Sequence, residues 1–349
     1  MPATLAAAVV LALGQTSPGQ VRDPVAWQSA LDRAGFSPGI IDGKLGPKTT
    51  VALAAFQRFS GLAATGRPDA ATRKSLSIDA QPALVRYALT EADRRQVGPS
   101  PTDWNAKSKL KRLGYKSLAA LVAERGHCTI ALVAALNPKL HVDRLRPGDV
   151  VILPNVAGSG ISPPVARITV DLDHKSIQAL DAKGRVVGLF HCSIAKKREK
   201  APRGRCRVVA IAREPEYIFD PKMWPEVKNV DRKLVIAPGP RNPVGLCWIG
   251  LSLDGYGIHG TPEPELIGKT GSHGCIRLTN WDALRLAKMV RVGTPVEFHP
   301  ADKRSALRLA PSETRSAEVA ASPRETQTGH QDVFGLRPVV EVSPDRHLE

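Results

Sequence analysis

Between residues 22 and 76, apolar positions recur at helical spacing. Trp27, Leu31 and Ala34 share one face of a segment that opens with Asp23-Pro24, a cap and a first-turn proline, and stops at Gly35. A second periodic stretch runs from Pro47 to Gly61, with Val51, Ala55, Phe56 and Phe59 on its apolar side. A short third begins at Pro68-Asp69 and ends at Leu76. Three amphipathic helices predict a small helical domain over 21–78. Residues 79–110 carry Pro82, Pro99 and Pro101 without a sustained period, which reads as a linker. Over 111–156 two short apolar helices (Leu118, Leu121, Val122; then Leu132, Val133, Leu136) lead to Pro147-Gly148 and the apolar strand Val150–Leu153. From 164 to 300 the period changes to two. Ile168, Val170 and Leu172 alternate, strands follow at Ile177–Leu180, Val186–Phe190, Arg207–Ile211, Val235–Ile236 and Cys247–Leu251, and Pro295–Phe298 closes the set. One helix begins at Thr279 and ends by Gly293. The pattern predicts a multidomain α+β chain whose C-terminal part is a β-sandwich or barrel with a single helix. After Pro300 the chain is charged and poor in large apolar residues, so 301–349 is expected to be a disordered basic tail.

The termini and the charge add context. Leu5–Leu13 has the length of a signal-peptide core, although Met1–Thr4 carries no Lys or Arg, so 1–20 is read as a signal peptide lacking its usual basic start. No stretch approaches the ~18 consecutive apolar residues of a membrane span, which leaves a soluble mature protein without a transmembrane segment. Net charge is +16, which favours polyanions without choosing among nucleic acid, lipid and wall polymers. No motif supports nucleic acid. Five cysteines (128, 192, 206, 247, 275) are an odd number for an oxidising compartment. Four could pair in any of three ways, leaving Cys275 as a thiol; alternatively Cys128, Cys192, Cys206 and Cys247 are small buried hydrophobes.

Chemistry concentrates in two short segments, Tyr256-Gly257-Ile258-His259-Gly260-Thr261 and Ser272-His273-Gly274-Cys275-Ile276-Arg277. A cysteine attacks carbonyl carbon well only as a thiolate, so it needs an imidazole nearby to take its proton. Two histidines lie near Cys275 in sequence. Gly260 and Gly274 keep the surroundings small, and Gly274 permits a turn that aims backbone amides at a developing oxyanion. Zinc is the competing use of His259, His273 and Cys275, but His273 and Cys275 are two apart and no well-placed fourth ligand follows. No metal and no cofactor is therefore expected.

The segment Ser272–Arg277, with the upstream His259-Gly260, resembles the signature of the L,D-transpeptidase (YkuD-type) catalytic family. The resemblance extends over about 165–299, including Ile168–Leu172 and Ser193–Lys196. It implies that Cys275 is the nucleophile and His259 the base and later acid, and that amides near Gly274 and Cys275 form the oxyanion hole. It also implies attack on a peptidoglycan stem tetrapeptide with loss of the terminal D-Ala. An amine of another stem, or of a wall-anchored protein, then takes the acyl group. Ser272 and His273 fall at loop-organising positions. Arg277, Tyr256 and Gly260 fall at candidate substrate-binding positions, with an internal ion pair the alternative for Arg277 and a lid or core place for Tyr256. Where the family often has Thr-Pro-x-Gly, this chain has Ala201-Pro202-Arg203-Gly204, after a basic run from Lys196 to Lys200.

Two further resemblances concern the N-terminal part. Asp42-Gly43, Gly46, Thr49, Phe56-Gln57, Gly61-Leu62 and Thr65-Gly66 are similar to the three-helix peptidoglycan-binding domain. Leu145-Arg146-Pro147-Gly148 before an apolar strand resembles the end of a LysM module, with a helical adaptor as the alternative. Together they imply an exported enzyme of the periplasm or cell wall whose partners are stem peptides and glycan. The alternatives are the same acyl-enzyme resolved by water, and a non-catalytic wall-binding protein. The irregular stretch Ala212–Pro243 has room to lid a cleft.

Overall fold

The computed structural model describes residues 11–12, 22–158, 165–196, 198–224, 226–271 and 274–299. The expected signal peptide, apart from Leu11 and Ala12, and the expected tail at 301–349 lie outside the described residues, as do Ser272 and His273. Leu11–Ala12 forms a two-residue strand, β1.

Helices α1 (Arg22–Arg33), α2 (Pro47–Phe59) and α3 (Ala70–Ser75) make the first unit. Gly35 and Gly61 take positive φ at the ends of α1 and α2, and the Asp69 carboxylate accepts from Thr72 N to start α3. Two buried glutamines hold the loops. Gln28 Nε2 donates to Asp42 Oδ1 and to the Lys44 carbonyl, both at 3.0 Å, while its Oε1 accepts from Gly43 N. Gln57 does the same for the turn at Gly66 and for Asp69 and Thr72. Much of the Asp-Gly and Phe-Gln pattern thus has a structural cause, because buried backbone and amide groups must be paired.

The second unit departs from the sequence reading. Residues 79–110 are not a bare linker. They hold strand β2 (Leu84–Ala88) and helices α4 (Glu91–Arg94) and α5 (Trp104–Ser108). Helices α6 (Leu118–Arg125) and α7 (Ile130–Leu136) follow, then strand β3 (Val150–Pro154). Strand β2 pairs antiparallel with β3, and β1 adds to the free edge of β2. Strand β2 is too short, and too interrupted by Arg86 and Tyr87, to stand out by periodicity. The pairing with β3, sixty residues away, is what makes it a strand. Leu84, Leu121, Val122, Val133, Val151 and Leu153 form the core of this unit.

The third unit comprises β4 (Arg167–Asp171), β5 (Ser176–Leu180), β6 (Val186–His191), β7 (Gly204–Arg213), β8 (Tyr217–Phe219), β9 (Leu234–Ile236), β10 (Cys247–Leu251), β11 (Gly257–His259), β12 (Ile276–Arg277), helix α8 (Asn280–Met289) and β13 (Pro295–His299). Eight strands form one sheet in the order β12-β11-β10-β7-β13-β4-β5-β6, with β8 and β9 as a separate hairpin. The pairs β13/β4 and β11/β12 are parallel and the others antiparallel. A bridge between Ser193, just past β6, and Arg277 of β12 joins the two ends of the sheet. Its hydrogen bonds are 2.8 and 2.9 Å. The domain is therefore a curled sheet, not a sandwich of two. Helix α8 buries Ala283, Leu286 and Ala287 against the sheet core.

All three units share one buried junction. Asp32 of α1 is fully buried and bonds Arg285 of α8 at 2.7 Å and His127 at 3.0 Å. His127, between α6 and α7, stacks on Trp281 of α8 with ring centroids 4.9 Å apart. Although burial raises the Asp32 pKa, Arg285 and His127 outweigh it and hold the carboxyl well below its usual range. Nearby Asp282 accepts from Ser37 Oγ at 2.8 Å and is also fully buried. There burial wins, and its pKa is pushed up to about 6, with Asp32 adding to the rise and Arg285 opposing it. The folded state therefore holds the Asp282 proton more tightly than the unfolded chain, whose pKa is near 3.8. This contribution to stability is full below about pH 4 and is lost as pH rises through 6. The isosteric Asp282→Asn variant should lose this dependence and gain ~1–3 kcal/mol over the wild type at pH 7. Urea unfolding at pH 4 and pH 7 measures it, and an unchanged difference between the two proteins refutes it.

Candidate active site

The register of two short strands assembles the centre. Strand β11 pairs in parallel with β12, Ile258 opposite Ile276 and His259 opposite Arg277. Side chains alternate along a strand, so Ile258 and Ile276 enter the core while His259 and Arg277 share the other face. Cys275, one residue before Ile276, falls on the same face as His259. It sits one strand across and two residues back. The sequence reading placed these two groups in one site by motif alone; the strand pairing supplies the geometry.

His259 is buried, with Nδ1 2.7 Å from the Gly260 carbonyl oxygen. A carbonyl only accepts, so Nδ1 carries the proton and Nε2 keeps its lone pair. Burial lowers the imidazole pKa to about 4; the Gly260 bond opposes this, and the charge of Arg277 adds to it. Trp248 of β10 lies against the ring, centroids 5.7 Å apart and planes 19° from parallel. That packing needs Gly257, where a Cβ would overlap the Trp248 indole.

Gly260 is buried and uses both backbone groups inside the protein. Its N–H donates to Cys247 O at 3.1 Å and its carbonyl holds His259. Both bonds make it a strut for the imidazole. Asn280, the first residue of α8, fills the space a Cβ would need there. Its Oδ1 accepts from Leu246 N at 3.1 Å, and its Nδ2 donates to Glu124 Oε2 at 3.1 Å and to the Pro240 carbonyl at 3.2 Å. Glu124 comes from α6, so the second unit reaches to within two residues of the imidazole. Burial raises the Glu124 pKa, against its bonds to Asn280 and Tyr115. Neither Asn280 nor Glu124 carried a sequence signal.

Cys275 is partly buried, and its thiol donates to the Gly255 carbonyl, Sγ···O 3.6 Å. Burial pushes its pKa up to about 11, against hydrogen bonds from the Gly257 amide and its own. The ring of Tyr256 covers Gly274, and its hydroxyl donates to the Lys200 carbonyl at 2.9 Å. Arg277 turns Nη2 onto the preceding loop, donating to Gly271 O at 2.7 Å and to Thr270 Oγ1 at 3.0 Å. These acceptors are neutral, so hydrogen bonds replace the internal ion pair considered above. Among the described residues no disulfide joins any of the five cysteines, and Cys128, Cys192 and Cys247 are buried.

Two walls were not foreseen in detail. The insertion between β7 and β10 forms the β8/β9 hairpin, and Tyr217 and Phe219 pack in one cluster with Trp248, Trp104 and Cys275. Trp104 of α5 stacks on Phe219 at 4.0 Å. On the other side a cleft of about 710 Å³ runs past Thr270 and Gly271, with Lys175, Lys196 and Arg203 on its walls.

These features define an α+β protein with a thiol and an imidazole on one face of a curled sheet. The family model of the L,D-transpeptidase catalytic domain matches residues 165–298, and that of the "Putative peptidoglycan binding domain" matches 22–76. A "Putative L,D-transpeptidase YkuD" of Bacillus licheniformis is 31% identical over 185 residues, covering 53% of this chain and 94% of the relative. Its namesake from Bacillus subtilis is 29% identical over 183 residues, 52% of this chain and 93% of the relative. A solved L,D-transpeptidase from Xylanimonas cellulosilytica shares 17% identity, covers 83% of this chain and 97% of its own, and superposes with a TM-score of 0.33. The chain belongs to the L,D-transpeptidase family, and membership implies a transpeptidase enzyme.

With the thiol near 11 and the imidazole near 4, both groups are neutral at pH 7. Alkylation of Cys275 by iodoacetamide should therefore accelerate between pH 9 and 12. A labelling midpoint below 7 would instead reveal a thiolate–imidazolium pair.

Proposed function

We propose that this enzyme cross-links peptidoglycan through a thioacyl intermediate on Cys275. The shared sheet face of Cys275 and His259, with His259 Nε2 free of a proton, is the observation that supports it most. The Cys275 sulfur attacks the carbonyl of the third residue of a stem tetrapeptide while its proton passes to His259 Nε2. The amides of Gly274 and Cys275 receive the oxyanion. Collapse breaks the C–N bond, and the imidazolium proton goes to the departing amine of D-Ala. An amine of a second stem, or of a wall-anchored protein, then attacks the thioester and gives its proton to His259 Nε2. The C–S bond breaks and the proton returns to sulfur. A 3–3 cross-link or an attached protein results.

Tyr256 and Arg277 shape the loop around Cys275. Ser272 and His273 are assigned to organising that loop on sequence resemblance alone. The unit at 21–78 binds wall peptide or glycan, and the second unit, with strands at its two ends and α6 and α7 between, is read as a LysM-like glycan module. Both readings place the enzyme outside the cytoplasm, in the periplasm or wall. No helix among the described residues is long and apolar enough to cross a membrane.

Purified protein incubated with disaccharide-tetrapeptide should gain the mass of the acyl group, lose it in Cys275→Ala, and release cross-linked dimer. Tripeptide alone would assign the same intermediate to hydrolysis, and no adduct would refute the reading. His259→Ala should slow acylation by about 10²–10⁴-fold. Asn280→Ala, which loosens the Gly260 carbonyl under His259, should cost roughly tenfold in acylation rate, since small displacements of a positioned group are expensive. Full activity of Asn280→Ala removes that support role.

A further inference from the structure

A second cavity, of about 210 Å³, lies between the 99–113 segment and the catalytic domain. Its walls include Trp104, Lys107, Arg241, Thr261, Glu263 and Arg277. Three cations therefore face one acid. Among the described residues none of the three has an ion-pair partner, and Lys107 Nζ rests 4.5 Å over the Trp104 ring instead. Burial, and then the charge of Arg241, push the Lys107 pKa below its ordinary value, against the opposing charges of Glu263 and Asp103. Two donors on the same walls, Arg277 Nε and Ser100 Oγ, have no acceptor among the described residues. The cavity thus sets three cations and two donors without acceptors among the described residues against the single carboxylate of Glu263, an excess that suits an anion.

Its position says which anion. Thr261 is two residues beyond His259, and Arg277 is the register partner of His259, so the cavity adjoins the strands that carry the centre, although neither His259 nor Cys275 lines it. The nitrogen that His259 protonates belongs to the departing amino acid, whose carboxylate carbon is two bonds from it. We propose that this cavity binds the α-carboxylate of the residue whose amine meets the acyl–sulfur bond, with Lys107 and Arg241 as its ligands. The inference rests on the thioacyl reading above. By microscopic reversibility the same cavity favours acceptors that carry a carboxylate beside the attacking amine over plain alkylamines. Lys107 and Trp104 belong to α5, outside the matched catalytic region, so the second unit would help set specificity.

The test compares wild type with Lys107→Gln and Arg241→Gln, full-length, on a stem tetrapeptide and on its C-terminal amide. Wild type should lose tenfold or more in acylation kcat/KM on amidation. Each variant should lose a similar factor on the acid, mainly through KM, and little on the amide. An acid-to-amide ratio as large in both variants as in wild type overturns the proposal. Calorimetry with D-alanine and D-alaninamide separates this from the chemistry. If wild type binds the acid alone and both variants lose it, the cavity assignment stands even where no acyl-enzyme forms; equal binding of both ligands sinks it.

Discussion

The pairing of β11 with β12 is the constraint on which the centre depends. Only two residue pairs define it, yet a one-residue slip would send His259 into the core and bring Ile258 to the thiol face. Several contacts pin the register. Leu278 N–H donates to the His259 carbonyl at 2.8 Å, the Ser193–Arg277 bridge closes the sheet beyond β12, and Ile258 and Ile276 are fully buried. Curling of the sheet thus does more than bury apolar area. It gives the strand next to the thiol a hydrogen-bonding partner on each side.

The electrostatics follow from that burial. Desolvation disfavours charge on either group, so the thiol is held protonated and the imidazole neutral. A neutral pair costs little to keep in an apolar wall of Trp248, Tyr217 and Phe219. It also suits the proposed reaction, in which charge forms only as the proton moves. The Gly260 carbonyl sets the tautomer, and Asn280 sets Gly260.

The N-terminal units are joined to the sheet by more than chain connectivity. Asp32, His127 and Arg285 come from three units and pair with one another out of water; removing Arg285 would strip the buried Asp32 of its strongest countercharge. Backbone bonds between Ser37 and Leu189, and between Leu189 and Gly35, dock the first unit on the outer strand β6. That contact covers an edge otherwise open to pairing. Glu124 carries the second unit to Asn280.

The sequence by itself determined the elements whose signals are local. Helices α1 to α3 were legible from caps, turn glycines and apolar period, β4 from alternation and β5 to β7 as short runs between turns, because those signals span only a few neighbouring residues. Cys275 and His259 were legible as chemistry, since a thiol and an imidazole among glycines have few other uses. What lay beyond reach was whatever depends on distant partners. Strand β2 was read as linker because β3 alone makes it a strand. The fold reading left sandwich and barrel open because closure rests on Ser193 meeting Arg277. The support of Gly260 by Asn280 and Cys247 rests on contacts between distant segments. Glu124 and Trp104 gave no signal at all, being ordinary helical residues until tertiary packing brings them to the centre. Local steric and solvent preferences are written along the chain, but which buried groups satisfy one another is decided only when distant segments meet.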